Sequence, residues 1–463
     1  MADILDLHAA DATMPIPARP RVGVVLAAGR SERLASVTGG RSKAVMRVGG
    51  LSLVERAIRT LLSAGIRDVV VVVGYEAGPV AAVAKRVAPG AVRTVFAERW
   101  ELGNGVSLAA AEPFVAEEDL FVLATADHVF RDGALQPLLQ GGVPAVLVDH
   151  APARDAWEEG TRVRLDGERA IAFSKELGDP SIDCGAFVLP RAVFDAQRRA
   201  ESAGDTSLAG AVTELVATTG ITAVELAPGS WWQDIDTPAD LRRARRMLRE
   251  SLSKASDGPV SRHLNRPIST RLSFALAPLR PNPDLVSFLA FLVTLAGAWL
   301  IGLGTGIVGG VLVQLSSVLD GVDGELARIQ LRTSAGGALL DGVLDRLGDA
   351  AAIAASALWA FDQGHDPRTV GVLAVAATAG AMLSMAVKDR MASLGIPPAP
   401  ERLIGWLLGG RDARLLIVAV AAVVGSPLTG LTVVVVTSAV ALVVRTVFAR
   451  MAVHMLERPL GRG

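Results

Sequence analysis

The chain has 463 residues, enough for two large or three ordinary domains, and 46 Lys and Arg balance 47 Asp and Glu. That balance leaves no electrostatic footprint for a nucleic-acid partner, and a single cysteine, Cys184, excludes an intrachain disulfide. Acidic residues concentrate in the first half, whereas from about Leu285 the chain is mostly Ala, Val, Leu and Gly, so the positive mean hydropathy averages a soluble half and a membrane half.

Residues 1–20 are acidic and then proline-rich, with no apolar core of a signal peptide, and read as a disordered tail. A soluble domain is expected over 21–252. Arg21–Gly29 reads as a strand entering a glycine turn, Leu53–Ala64 as a helix ending at Gly65, and Asp68–Val73 and Asp119–Ala124 as buried strands. Pro238–Leu252, behind Thr237 as N-cap, reads as a basic amphipathic helix. Strands alternating with helices predict a doubly wound, Rossmann-like α/β sheet.

Three motifs carry chemistry in this half. The turn Leu26-Ala27-Ala28-Gly29-Arg30-Ser31-Glu32-Arg33-Leu34 follows a strand, so its backbone N–H groups can approach a phosphate, while Arg33 and Lys43 can neutralise a triphosphate. Thr125-Ala126-Asp127-His128 ends an apolar strand, where α/β folds place ligands. Trp231-Trp232-Gln233-Asp234-Ile235-Asp236-Thr237-Pro238 sets carboxylates just before a helix, and Asp127 and Asp236 could share one Mg²⁺.

With Glu101-Leu102-Gly103-Asn104-Gly105-Val106-Ser107-Leu108, these motifs make the segment Val22–Leu252 resemble the sugar-phosphate nucleotidyltransferases, most closely inositol-1-phosphate cytidylyltransferase. The resemblance implies that Leu26, Ala27, Ala28, Gly29, Lys43 and Asp127 bind the nucleotide, with Lys43 and Arg33 serving catalysis. It implies that Asp127 and Asp236 hold Mg²⁺, that Lys175 takes the sugar-phosphate end, and that Asp183-Cys184-Gly185 lines the pocket. Ser31 replaces the usual second glycine of the loop and Ser42 the usual proline before the lysine.

Residues 253–284 are expected to form a linker and then an interfacial amphipathic segment, Ser261–Arg271, suited to lipid headgroups. A membrane domain over 285–455 follows, with six transmembrane helices at roughly 285–303, 307–328, 335–360, 370–387, 415–424 and 431–448, and a tail at 456–463. Loops rich in Lys and Arg alternate with loops nearly lacking them, which predicts a multi-pass cell-membrane protein with the soluble domain and C-terminus cytoplasmic.

Within those spans lie four aspartates. Asp320 and Asp323 are spaced i, i+3 and Asp341 and Asp345 i, i+4, so each pair shares a helix face. A carboxylate at bilayer depth costs roughly 2.5–3.5 kcal/mol on insertion scales, and facing Asp pairs suit hard divalent cations. The pattern Asp323-Gly324-x-x-Ala327-Arg328, then Gly337, Asp341 and Asp345, matches the CDP-alcohol phosphotransferase signature. The resemblance implies a two-metal centre on Asp320, Asp323, Asp341 and Asp345, with Asp345 also the base. Gly324, Ala327 and Arg328 would line the nucleotide site, the small residues leaving room between helices. Lys388, Arg390, Arg411 and Arg414 read either as positive-inside anchors or, for Lys388, Arg411 and Arg414, as an acceptor-phosphate pocket.

Over nearly its whole length the chain resembles the bifunctional inositol-1-phosphate cytidylyltransferase/di-myo-inositol phosphate phosphate synthases. That implies CTP, inositol 1-phosphate and CDP-inositol as small-molecule substrates, Mg²⁺ or Mn²⁺ at both sites, contact with the lipid bilayer, and by family analogy a homodimer. A different phosphoalcohol with a lipid hydroxyl as acceptor is the alternative; an ion-coupled transporter is opposed by the lack of an inverted repeat.

Overall fold

The computed structural model describes residues 19–30, 32–34, 38–253, 257–396 and 401–457. The expected amino-terminal tail falls outside these residues except for 19 and 20, as do Ser31 and most of the expected tail at 456–463. The chain divides into two compact units, Met1–Leu248 and Arg249–Gly463.

The first unit contains strands β1 (Val22–Ala27), β2 (Arg47–Val48), β3 (Leu51–Ser52), β4 (Asp68–Val73), β5 (Val92–Phe96), β6 (Leu120–Thr125), β7 (His128–Phe130), β8 (Ala145–Asp149), β9 (Arg162–Asp166), β10 (Arg169–Ser174), β11 (Ile182–Pro190), β12 (Ile221–Glu225) and β13 (Trp232–Asp234). Its helices are α1 (Leu53–Ser63), α2 (Ala77–Val87), α3 (Asn104–Leu108), α4 (Gln136–Gln140), α5 (Arg154–Glu159), α6 (Ala192–Ser202) and α7 (Leu208–Val216), with α8 (Pro238–Glu250) running to the boundary.

A nine-stranded sheet runs β5-β4-β1-β6-β11-β8-β12-β10-β9. The β5-β4-β1-β6 part is parallel, and β11 joins β6 antiparallel. Every residue of β1 is buried, as the unbroken apolar run of a two-sided central strand requires. The chain builds outward from β1 to β4 and β5, then places β6 on the other flank of β1. That reversal opens a crevice at the carboxyl ends of β1 and β6, the topological switch point of α/β sheets. Beyond it, β13 pairs with β7 antiparallel and sets Asp234 opposite His128. One face of the sheet is sealed by the stacked pair Phe121 and Phe194, 5.7 Å between centroids.

The second unit is helical: α9 (Arg266–Leu276), α10 (Pro283–Gly302), α11 (Gly306–Ile329), α12 (Ala335–Asp362), α13 (Pro367–Ser393), α14 (Glu401–Trp406), α15 (Arg411–Val424) and α16 (Pro427–Glu457). Local chemistry sets the ends. Asn282, Ser334 and Asp366 cap α10, α12 and α13 by accepting backbone N–H bonds, and Gly425 (φ 77) closes α15. Small residues let helices touch: a Cβ on Gly297 would lie 2.9 Å from the Gly309 carbonyl oxygen.

The expected six spans correspond to helices of unequal character. Among the described residues four are long and apolar enough to cross a bilayer: Pro283–Gly302, Gly306–Ile329, Pro367–Ser393 and Pro427–Met455. The expected third span, α12, carries Asp341, Asp345, Arg346 and Asp349. The expected fifth, α15, has 14 residues, about 21 Å of helix against about 30 Å of hydrocarbon. Two further helices, α9 and α14, are short.

Phe121→Ala should destabilise the first unit by about 3–5 kcal/mol. Urea unfolding of the intact chain followed by tryptophan fluorescence checks this; an unchanged first transition would contradict the packing described.

Candidate active sites

At the crevice of the first unit, the glycine turn is held close to the neighbouring strand. The Tyr75 N–H donates to the Ala28 carbonyl at 2.9 Å, and a Cβ on Gly74 would stand 2.8 Å from that oxygen and 2.7 Å from Trp100 Cβ. Leu26, Ala27, Ala28, Gly29, Lys43, Asn104 and Asp127 line a cavity of about 170 Å³. A larger one of about 570 Å³ shares Asn104, Thr125 and Asp127 with it, and adds Lys175, Asp183, Gly185, Asp234 and Asp236. The nucleotide loop and the expected sugar-phosphate residues therefore border adjoining spaces. Cys184 is the exception in its tripeptide. Strand alternation turns it into the core, fully buried, while Asp183 and Gly185 face the cavity.

Lys43 Nζ lies 2.9 Å from Asp127 and 2.6 Å from Asp236, and Arg33 pairs with Asp236 and, at 2.7 Å, with Glu159. Burial works against the Lys43 charge, but Asp127, Asp234 and Asp236 outweigh it and hold the ammonium above the usual lysine range. Burial likewise opposes the Asp127 charge, yet Lys43 and His128 keep that carboxyl well below its ordinary value. His128 Nδ1 meets Thr125 Oγ1 at 2.7 Å and Asp127 Oδ1 at 2.9 Å, and its ring stacks on Trp232 at 5.3 Å. Burial lowers its pKa, but Asp234 and then Asp127 raise it to about 9. Asp234 is pushed up by burial, and further by Asp127, to about 7.

In the second unit the carboxylates of Asp320, Asp341 and Asp345 converge, one oxygen of each within 4.8 Å of the others. Arg411 Nη1 bridges two of them, 2.7 Å from Asp320 and 3.0 Å from Asp345. The fourth expected ligand, Asp323, is turned aside: its carboxylate accepts from the Ser287 hydroxyl and from the Gly324 N–H. Asp349, one turn beyond Asp345, binds Arg411 at 3.2 Å and Arg414 at 2.9 Å. Lys388, Arg411 and Arg414 line a cavity of about 220 Å³ with all four signature aspartates, while the exposed Arg390 does not border it. Gly324, Ala327, Arg328 and Gly337 border a neighbouring space of about 170 Å³ that also touches Asp323 and Asp341.

Two family models match the chain: a MobA-like NTP transferase domain over residues 23–255 and a CDP-alcohol phosphatidyltransferase over 281–444. A bifunctional IPC transferase and DIPP synthase from Rubrobacter xylanophilus is 39% identical over 409 residues, 87% of this chain and 90% of that protein. One of the same description from Archaeoglobus fulgidus is 33% identical, covering 85% of this chain and 76% of its own. The chain belongs to this family of bifunctional IPC transferases and DIPP synthases. Among solved structures, the inositol-1-phosphate CTP transferase from T. maritima aligns with 27% identity and a TM-score of 0.45, over 50% of this chain and 96% of that one.

The first unit is thus a nucleotidyltransferase and the second a CDP-alcohol phosphotransferase. Both hold acidic clusters suited to a divalent cation. In each, a side-chain cation stands between expected ligands: Lys43 between Asp127 and Asp236, Arg411 between Asp320 and Asp345. Carboxylates already arranged around positive charge fit a metal. Sequence reasoning missed His128 and Asp234, which with Asp127 form a three-ligand group. Only the β7–β13 register, which joins segments far apart in the chain, brings those two together. Asp349 was legible as the next member of the i, i+4 series from Asp341 and Asp345.

Gly185 has φ +71, and a Cβ there would stand 2.7 Å from Thr125 Oγ1 and 2.9 Å from the His128 ring. Gly185→Ala should therefore slow diphosphate release from CTP and inositol 1-phosphate by about 100-fold, the scale of a 1 Å misplacement, while CMP release from supplied CDP-inositol stays intact. Parallel assays of the two steps check this, and an equal loss in both would contradict it.

Proposed function

We propose that the first unit joins CTP to inositol 1-phosphate, giving CDP-inositol and diphosphate. The second transfers phosphoinositol from CDP-inositol to a second inositol 1-phosphate, giving di-myo-inositol phosphate phosphate and CMP. The observation that carries this reading is the presence in one chain of a nucleotidyltransferase and a CDP-alcohol phosphotransferase, so that the product of one site is the donor for the other. Relatives sharing most of this chain's length are named for both activities.

In the first step a phosphate oxygen of inositol 1-phosphate attacks the α-phosphorus of CTP, and diphosphate leaves. The backbone of Leu26–Gly29 cradles the triphosphate, and Lys43 and Arg33 neutralise the charge that builds on the leaving diphosphate. Lys175 and Asp183, which border the larger cavity, hold the inositol phosphate. In the second step a hydroxyl of the acceptor attacks the phosphorus bearing inositol, and the bond to CMP breaks. Asp345 takes the hydroxyl proton. Gly324, Ala327 and Arg328 seat the nucleotide, and Lys388, Arg411 and Arg414 hold the acceptor phosphate, Arg411 exchanging its carboxylate partners for it. Mg²⁺ or Mn²⁺ would be held by Asp127 and Asp236 at the first site and by Asp320, Asp341 and Asp345 at the second, joined by Asp323 once it leaves Ser287, and would supply charge neutralisation and polarisation of the reacting phosphoryl group.

The proposal places domains at 21–252 and 285–455. It lets α12 and α15 cross the bilayer beside the four apolar helices, their charged or short stretches sheltered within the bundle. The nucleotidyltransferase unit and C-terminus then lie in the cytoplasm, a reading supported by loop charges such as Arg280 and Arg332, and two copies associate.

Asp345→Asn should abolish CMP release from CDP-inositol and leave diphosphate release intact; Asp127→Ala should do the reverse. ³¹P NMR of purified protein with CTP, Mg²⁺ and inositol 1-phosphate, with and without EDTA, checks both products. Silencing of both steps by either substitution in folded protein, or transfer to a lipid hydroxyl in place of inositol 1-phosphate, would contradict the proposal.

A further inference from the structure

Glu325 lies in the signature stretch of α11 but outside the aspartate pattern. It is fully buried, 0% exposed, and its carboxylate collects four donors from α9. These are Arg266 Nη1 at 2.7 Å, Ser269 Oγ at 2.8 Å, Thr270 Oγ1 at 3.3 Å and Ser273 Oγ at 2.7 Å. Residues 266, 269, 270 and 273 are spaced i, i+3, i+4, i+7, so α9 devotes one whole face to this acceptor. Arg266 in turn holds Asp257 through two bonds, at 2.9 and 3.1 Å.

The matching face of α11 is Ser317, Gly321 and Glu325, spaced i, i+4, i+8. At its middle, a Cβ on Gly321 would stand 3.2 Å from Ser269 Oγ, so the glycine lets α9 lie against the helix. At its other end Asn265 donates to Ser317 Oγ at 3.0 Å and to Asp412 Oδ1 at 3.2 Å, beside Arg411. The two polar anchor points therefore flank the turn that carries Asp320. Just before α9, the Leu252 carbonyl accepts from Arg328 Nη2 at 3.1 Å, and the Leu252 side chain packs with Val322, Leu326 and Ile329.

Apolar packing is non-directional and would let α9 slide or rotate. A buried carboxylate shared among a guanidinium and three hydroxyls fixes both register and rotation, because every partner lost leaves charge unpaired. We infer that Glu325 is a positioning residue of the phosphotransferase site: it clamps the segment 257–276 onto the back of α11 and so sets where α11 presents Asp320 and Asp323. The segment before the first apolar span is then a working wall of the site and more than a tether. This inference rests on the phosphotransferase reading of the second site.

The test uses full-length protein in detergent and the variants Glu325→Gln and Arg266→Gln, each compared with wild type in three measurements. These are the Mg²⁺ dependence of CMP release from CDP-inositol, direct Mn²⁺ binding by electron paramagnetic resonance in an Asp127→Ala background, and diphosphate release from CTP. Expected are a loss of Mn²⁺ affinity and a rise in the Mg²⁺ half-saturation of about 10- to 100-fold, the scale on which partners orienting metal-binding groups act, with diphosphate release unchanged. Ser273→Ala, which keeps the ion pair and removes one hydrogen bond, should shift both in the same direction by less, and serves if the charge variants do not fold. Normal metal affinity in variants whose CMP release falls only with the amount of folded protein, or no change at all, would overturn the inference. A wild type that binds Mn²⁺ but releases no CMP would sink the phosphotransferase reading, while the Mn²⁺ titrations would still decide the role of Glu325.

Discussion

A carboxylate taken out of water must be met by positive charge or give up its own. At both candidate active sites such groups gather around a basic side chain: Lys43 between Asp127 and Asp236, and Arg411 between Asp320 and Asp345. The surrounding architecture serves that arrangement. The sheet of the first unit reverses direction where Asp127 emerges from β6, and the helices of the second bring Asp320, Asp341 and Asp345 together from α11 and α12. Polyphosphate substrates are anions too, so a divalent cation on the carboxylates together with the neighbouring basic side chains would have to offset both charges. The ion pairs seen without substrate hold the lysine and arginine in place for the anions they are proposed to meet.

What the sequence discloses depends on whether chemistry is written in local spacing. The helix-borne aspartates were readable because i, i+3 and i, i+4 translate directly into one face, and the glycine turn because a strand must precede it. His128 and Asp234 were not, since their meeting depends on pairing between strands about a hundred residues apart. Cys184 was misplaced by reading a tripeptide as a unit when a strand sends neighbours to opposite faces. Four of the six expected spans stand out by length and hydropathy, and the other two do not because function contaminates hydropathy: α12 carries the charges the site needs, and α15 has 14 residues. Glu325 escaped because a lone acidic residue in a signature looks like a solvated position until its four partners on α9 are seen.

Covalent fusion adds a further constraint. Leu252, at the end of the expected first domain, and Asp257 in the linker both join the fabric of the phosphotransferase unit, through Arg328 and Arg266. Severing the chain to study each activity alone would therefore have to respect this segment. It also explains why Ser261–Arg271 reads as interfacial. Leu264 and Ile268 remain exposed on the outer side of the segment while its polar face is spent on Glu325.

The most direct measurement is a crystallographic or cryo-electron-microscopic map of the protein with Mn²⁺ and CDP-inositol, with anomalous scattering used to place the metal. The account predicts Mn²⁺ among Asp320, Asp341 and Asp345 against the diphosphate bridge, with Arg411 released from Asp320 and Asp345. A map with the donor bound, no cation among those carboxylates, and Arg411 still bridging them would contradict it.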